Sequence, residues 1–302
     1  MKILIESVPN ISEGRDPKKI KLIVGELTKI LGPYLLDWSS DPFHNRTVFT
    51  MAGHPAIIER ALIKLFEVSI DLIDLNKHEG EHPRVGAVDV VPIIPLNPLS
   101  RINCFQLAKD LGLTVSERFR LPVYLYEDSS MGPRTRRLED IRRGQLAGIS
   151  ERMKKNIWFP DFGPNTPHPT AGISVIGVRK PLIAFNINLS TDDICLARQI
   201  AKRVRESSGG LPCVKALGIR LAEKKRVQVS INLTDYTKTS LKTLFSFVER
   251  EAQKEGVSIH SREFIGLIPA EAIESVKPSK LFAKNFKCSQ ILEDRLRKTR
   301  LL

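Results

Sequence analysis

Short β-branched runs alternate with longer runs of helical spacing in the order β-α-β-β-α-β, and then in that order again. This doubled pattern most narrows the folds open to the 302-residue chain. Residues 2–8 (K-I-L-I-E-S-V) read as a strand bounded by Pro9-Asn10. Asp16-Pro17 then opens a helix with proline in its first turn, and Ile20, Ile23, Val24, Leu27, Ile30 and Leu31 recur at helical spacing until Gly32-Pro33. Strands follow at about 34–38 and 46–51, joined by a polar segment, 39–45. Pro55 starts a second helix with Ile58, Leu62, Leu65, Phe66 and Ile70 on one face, and an apolar strand at 88–94 ends at Pro95. This order is the ferredoxin-like arrangement.

The second half repeats it. A strand at 182–189 leads to a helix capped by Thr191-Asp192 and running to about 206. Strands at 214–221 and 227–233, a helix at 239–254 and a strand at 257–264 complete the unit. The expectation is an α/β (α+β) protein of two ferredoxin-like βαββαβ subdomains, 1–180 and 181–302, with little residue identity between the halves. Between them lie a helix at 101–119, a strand at 122–126, a loop-rich stretch to about 172 and a strand at 173–178. Loops of that length inside a compact protein are as a rule functional or disordered.

Hydrophobic residues at 42% and charged residues at 27% exclude a disordered or collagen-like chain. No apolar run approaches the ~18 residues of a membrane span, and Glu6 ends the first apolar run too early for a signal-peptide core. A soluble, cytoplasmic protein is expected. Cys104, Cys195, Cys213 and Cys288 lie far apart with no C-x-x-C pair, which argues against a zinc knuckle or a disulfide framework. The formal charge of +13 favours an anionic partner, whether nucleic acid, membrane surface or small polyanion.

The most concentrated polar segment is His78-Glu79-Gly80-Glu81-His82-Pro83-Arg84. It contains the letters H-E-x-x-H, which serve zinc hydrolysis because a helix sets both histidines one turn apart on one face. Gly80 weakens a helix from inside, and Pro83 pushes His82 out of the α region. The motif therefore lacks its context, and no metal is expected. A non-helical histidine between a buried helix and a buried strand is suited instead to general acid–base work, since its ordinary pKa of ~6.5 lies near working pH. The plain alternative is a solvated charged turn.

Six segments in order carry a resemblance. They are Val8-Pro9-Asn10-Ile11-Ser12-Glu13-Gly14, Asn45-Arg46-Thr47-Val48, the run from Gly80 to Pro92 (G-E-H-P-R-V-G-A-V-D-V-V-P), Pro160-Asp161-Phe162-Gly163-Pro164, Ala184-Phe185-Asn186-Ile187-Asn188-Leu189, and the run from Val227 to Asp235 (V-Q-V-S-I-N-L-T-D). Together they resemble the glutamate formimidoyltransferase (formiminotransferase) family from residue 1 to about 270. The resemblance is to the transferase alone, because the cyclodeaminase of some members would need a long additional C-terminal region.

The resemblance implies transfer of a formimino group from N-formimino-L-glutamate to N5 of tetrahydrofolate, in histidine degradation. N5 must attack the amidine carbon and shed a proton, and the glutamate nitrogen must gain one to leave. One histidine can do both, and the family's catalytic histidine matches His82. Neither a metal nor a covalent nucleophile is needed. The family's folate loop matches Gly163, Pro164, Asn165, Thr166, Pro167, His168, Pro169, Thr170, Ala171 and Gly172. Its three prolines limit backbone freedom, and its terminal glycines allow close approach to a flat pterin; an ordinary Pro/Gly linker is the alternative. Candidate substrate-binding residues are Asn10, Asp41, Asn45, Arg46, Glu81 and Arg84. Arg46 and Arg84 suit carboxylates through the guanidinium fork, or else brace the loop through Glu13, Glu81 or Asp89. Asn186, Asn188 and Asn232 either contact a pterin or satisfy one another within the sheet.

A groove between the halves, a polyglutamylated folate tail in a basic channel, and a homodimer are also implied. Much of the positive charge, however, sits in Arg134-Thr135-Arg136-Arg137, Lys224-Lys225-Arg226 and the C-terminal tail, which read as solvated surface. Family members commonly carry an acid two positions after the Asp of the L-L-D segment. In Leu35-Leu36-Asp37-Trp38-Ser39-Ser40-Asp41 that place is Ser39, and Asp41 is the acid that can substitute. Three other readings stay open: formyl transfer between 5-formyltetrahydrofolate and glutamate, a noncatalytic folate-binding relative, and an RNA-binding protein. The last lacks the aromatic strand motif of RNA-recognition modules, with aromatics at only 6%.

Overall fold

Two sheets with a shared strand order organise the computed structural model, which describes residues 3–80, 83–131, 136–221, 226–274, 276 and 286–301. The chain divides into two compact units, Met1–Arg179 and Lys180–Arg300. In the first unit, β1 (Ile5–Ser7) and β2 (Asn10–Ile11) are one strand interrupted at Val8-Pro9. The expected strand 2–8 thus resumes beyond the proline, which lacks the N–H needed to continue the ladder. Helix α1 (Pro17–Leu31) begins where the Asp16 carboxylate accepts the N–H groups of Lys18 and Lys19, and ends at Gly32 with φ of 52°.

Strands β3 (Leu35–Asp41) and β4 (Arg46–Gly53) form a hairpin tighter than expected, because the polar residues 39–41 are strand and not loop. Among the described residues β3 pairs only with β4, so Ser39 and Ser40 sit on an edge where polar side chains are at home. Ser40 and Thr47 also join their hydroxyls across it at 2.8 Å. Helix α2 (Pro55–Leu72), β5 (Val88–Pro95), α3 (Arg101–Phe119), β6 (Val123–Leu125), short helices α4 (Leu138–Ile141) and α5 (Gln145–Arg152), and β7 (Ser174–Val178) follow.

The sheet runs β3-β4-(β1/β2)-β5 antiparallel and is extended by β7 and β6, which add in parallel beyond β5. Phe49, Met51, Val91 and Ile93 on one face pack against Ile23 and Leu27 of α1, Leu62 and Phe66 of α2, and Leu107 and Leu111 of α3. At the β7/β6 end the opposite face is covered by Ile141, Ile149 and Met153, which pack on Val90, Tyr124 and Val175.

The described part of the stretch between β6 and β7 is stapled by arginine. Asp161 accepts the Leu125 N–H at 2.7 Å and pairs with Arg136, whose guanidinium also reaches the Phe159 carbonyl. Arg142 pairs with Asp89, while Arg152 donates to the carbonyls of Arg143, Asp140 and Ile141 and lies 4.8 Å over the Trp158 ring. Arg136 is therefore a buried brace and not solvated surface, with a side chain only 15% exposed. Arg134, Thr135, Lys224 and Lys225 lie outside the described residues.

The second unit contains β8 (Ile183–Leu189), α6 (Ile194–Val204), β9 (Val214–Leu221), β10 (Arg226–Leu233), α7 (Leu241–Lys254), β11 (Ile259–Ile265), α8 (Ala270–Glu274) and α9 (Leu292–Lys298). Its antiparallel order, β11-β8-β10-β9, reproduces the first four strands of the other unit, so both units are ferredoxin-like. The cap of α6 is Asp193 and not Thr191-Asp192. The Thr191 hydroxyl instead accepts the Asp193 N–H and turns the chain into the cap.

Asp161→Ala is expected to destabilise the protein by about 3 kcal/mol in urea unfolding, because it leaves a buried guanidinium and the Leu125 N–H without their carboxylate.

Candidate active site

Side chains alternate along a strand, so the register of the first sheet decides which polar groups share a face. Asp41 lies opposite Arg46, Ser39 opposite Val48, Asn10 opposite Val48 on its other side, and Asn10 opposite Val90. Phe49 and Met51 point into the core beneath α1–α3. Asn10, Ser39, Asp41 and Arg46 consequently belong to the face those helices leave uncovered.

The hairpin turn at Pro42–Asn45 is fixed from within. Asp41 accepts the N–H groups of Phe43 and His44, each at 2.9 Å, and its second oxygen lies 2.7 Å from His44 Nδ1. Burial pushes this carboxyl up, but the His44 ring and the two N–H groups outweigh it and hold it at about 2. Asp41 thus shares the face of Ser39, two residues further along, with its carboxylate committed to its own turn.

Asn45 closes the turn in the left-handed region, φ 48°, and is buried. Its Oδ1 accepts the Gly14 N–H at 2.8 Å, its Nδ2 donates to the Glu79 carbonyl at 2.8 Å, and its own carbonyl lies 3.0 Å from His78 Nε2. Gly80 packs against this turn so closely that a Cβ would meet the His44 carbonyl at 2.7 Å. Arg84 then donates to the carbonyls of His78 and Gly80, at 2.6 and 2.9 Å. Arg84 thereby braces the segment through these two backbone oxygens. Glu81 and His82 lie outside the described residues.

The described part of the H-E-x-x-H run, 78–80, is not helical. His78 is half-buried, and burial and the Arg84 charge pull its pKa down against the Asn45 carbonyl and Glu13. A neutral ring donating Nε2–H to Asn45 leaves Nδ1 an acceptor, buried and with no hydrogen-bond partner among the described residues.

Beyond Pro83, Asp89 accepts the Val85 N–H at 2.7 Å while pairing with Arg142. Arg46 is brought down to about 10 by burial and by Arg142, against Asp89 and Asp41, and stays cationic at neutral pH. Sequence reasoning weighed Asp89 only as a brace and missed Arg142 altogether. Arg142 sits in a basic, motif-free stretch, and nothing in its neighbourhood signals a partner 53 positions away.

The 163–172 loop docks on both flanks of the 78–84 segment. Leu75 N–H donates to the Thr170 carbonyl (2.8 Å), Asn76 Nδ2 to that of Pro169 (2.9 Å) and Ala87 N–H to that of Ala171 (2.9 Å). The close approach that its terminal glycines allow is to the chain's own backbone. A Cβ on Gly163 would lie 2.8 Å from the Leu121 carbonyl and one on Gly172 2.3 Å from that of Val85, and both residues have positive φ. In the second unit, Asn188 accepts from Gln228 and donates to Ser261, both at 2.9 Å, so for this residue the sheet itself satisfies the amide. Asn186 and Asn232 alternate with the core residues Phe185, Ile187, Ile231 and Leu233, on the face away from that core.

A family profile described as "Formiminotransferase domain, N-terminal subdomain" matches residues 4–179, and one described as "Formiminotransferase domain" matches 184–300. The chain is 40% identical to a protein named glutamate formimidoyltransferase from Streptococcus pyogenes serotype M1, over 97% of this chain and 98% of that one. It is 38% identical to a protein of the same name from Thermoplasma acidophilum, over 98% of each. It is also similar to a formimidoyltransferase-cyclodeaminase of Mus musculus, 39% identical over 90% of this chain and 51% of that protein.

Asn45→Ala should cost about 2–3 kcal/mol in chemical unfolding, since the Gly14 N–H and the Glu79 carbonyl lose their partner and alanine fits φ > 0 poorly. Asp41 makes a different, pH-dependent prediction. Its folded pKa is depressed, so its stabilisation is present above the ordinary value of 3.8 and is lost as pH falls from there through about 2. The stability gap between wild type and Asp41→Ala should close over that window, read from denaturant titrations at each pH.

Proposed function

The chain belongs to the formiminotransferase family and is an enzyme, a transferase; from that premise we propose that it moves a formimino group from N-formimino-L-glutamate to N5 of tetrahydrofolate and releases glutamate, as a step of histidine degradation. The observation that carries this reading is the 40% identity, over 97% of the chain, to a protein named for that activity. The anchoring of residues 78–80 and 83–89 supports it, because a proton-transferring group gains its effect from being held in place.

In this reading His82 takes the proton shed by N5 and returns it to the departing glutamate nitrogen. Arg46 offers a guanidinium to a carboxylate of the donor, with Asn10 beside it on the same sheet face. Arg84 acts one step back, by holding the carbonyls of His78 and Gly80. Loop 163–172 receives the folate, and its hydrogen bonds to residues 75, 76 and 87 support this role, since they tie it to both ends of the segment that contains His82. Folate is a co-substrate here, and the chemistry asks for no metal. The proposal extends to a cytoplasmic homodimer acting on small molecules, which rests on the resemblance. No helix among the described residues is long and apolar enough to cross a membrane.

Purified protein with tetrahydrofolate and either formiminoglutamate or formylglutamate, followed by the absorbance of the one-carbon folate, tests the reading. Turnover with formiminoglutamate is expected, and His82→Ala should lower it by ~10²–10⁴-fold with folding intact. Turnover with formylglutamate alone would replace the donor, and a His82→Ala variant as fast as wild type would remove the mechanism.

A further inference from the structure

Arg262 takes an inward position on β11. It lies opposite Ile187 of β8, which in turn faces Val229 of β10, both core residues. Its guanidinium carbon sits 5.8 Å over the Phe245 ring of α7. The side chain is only 13% exposed, yet among the described residues its five N–H groups meet a single acceptor, Glu249 Oε1, 3.4 Å from Nη2. Nε is buried with no hydrogen-bond partner. Burial also draws the pKa down against the field of Glu249. The bracing arginines of the first unit are better served: Arg84 holds two carbonyls, Arg136 a buried carboxylate and a carbonyl, Arg152 three carbonyls.

Beside this guanidinium opens a hollow of about 410 Å³, between the end of α7 and the start of β11. That volume lies within the range of roughly 300–1,000 Å³ typical of small-molecule sites. Glu249, Gln253 and Ser258 add polar groups to its wall, and Val257 and Ile259, which pack on the core behind, add apolar ones. All belong to the unit Lys180–Arg300, whereas Arg46, His82 and loop 163–172 belong to the other. An inward charge guards an edge strand against pairing with another chain, and β11 is an edge. Guarding needs a charge alone, and it accounts for neither the hollow nor the idle donors.

The wall carries one cation and one anion, in contact at 3.4 Å. A free anion such as phosphate would gain Arg262 and be repelled by Glu249. A ligand bearing both charges meets no such conflict. In an α-amino acid the ammonium and the carboxylate are joined through one carbon, a spacing matched to two opposite charges in contact. We propose that this hollow binds a free α-amino acid with an aliphatic side chain. Its carboxylate takes the Nη1–Nη2 edge of Arg262, its ammonium takes Glu249, and its side chain rests on Val257 and Ile259. The site stands apart from the transfer reaction and does not depend on it.

Proton–nitrogen NMR of the arginine Nε–H groups, with the Arg262 signal assigned from its loss in Arg262→Lys, reads the site directly. L-Leucine titrated to about 20 mM, beyond the millimolar Kd of a few charge-assisted bonds, should move that signal to saturation. 4-Methylpentanoate and 3-methylbutylamine are leucine without its amino group and without its carboxylate. Each should bind at least about tenfold more weakly than leucine, and so should leucine to Glu249→Gln, since a bond to a charged group is lost. Glu249 is 38% exposed, so glutamine is tolerated there and the melting temperature should stay that of wild type. An Arg262 signal unmoved by leucine overturns the proposal. So does either analogue binding as tightly as leucine, or a folded Glu249→Gln that keeps the wild-type affinity.

Discussion

Asn45 makes three hydrogen bonds with its side chain and its carbonyl, and the geometry of residues 78–80 hangs on them. Oδ1 holds the loop after β2, Nδ2 holds the chain at Glu79, and the carbonyl orients His78. A left-handed backbone makes this possible, and asparagine is the side-chain-bearing residue that accepts it most readily. Gly14 and Gly80 complete the arrangement by giving up their side chains where backbones meet: a Cβ on Gly14 would lie 2.5 Å from the Asp41 carbonyl.

Arginine does the corresponding work elsewhere in the first unit. Arg84, Arg136, Arg142 and Arg152 are fixed on backbone carbonyls or buried carboxylates of their own unit. The formal charge of +13 therefore overstates what is offered to an anionic ligand. A guanidinium suits such bracing because its five donors lie in one plane and its charge does not titrate away. Arg46 lies on the sheet face opposite α1–α3, where burial and the charge of Arg142 act on it against those of Asp89 and Asp41.

The loop that ends at Gly172 belongs to the same construction. It bonds to residues 75 and 76 before the 78–84 segment and to residue 87 after it, and Val85 closes the circuit by accepting the Ile173 N–H at 2.9 Å. A ligand held by this loop and a proton carrier at residue 82 would share one mechanical frame. Preorganisation of that kind lowers the entropy cost of bringing reactants together.

How much of this could be read from the sequence follows from the range of the forces involved. Helices α1, α2, α3 and α7 were legible from spacing and caps, because periodicity and capping act within a few residues. The doubled strand order was legible for the same reason, and the motifs around Asn45, His82 and residues 163–172 stood out in the linear text. Errors appeared where a local rule met a distant partner. Ser39 and Ser40 look like loop but extend an edge strand. Arg136 looks solvated but closes on Asp161, 25 residues away. Arg142 carries no local signal for Asp89, 53 residues away. The sequence by itself determined the elements, their order and the family to which the chain belongs. Tertiary structure alone decided which charges are spent on bracing and which face each strand residue takes, because those depend on groups that only folding brings within reach.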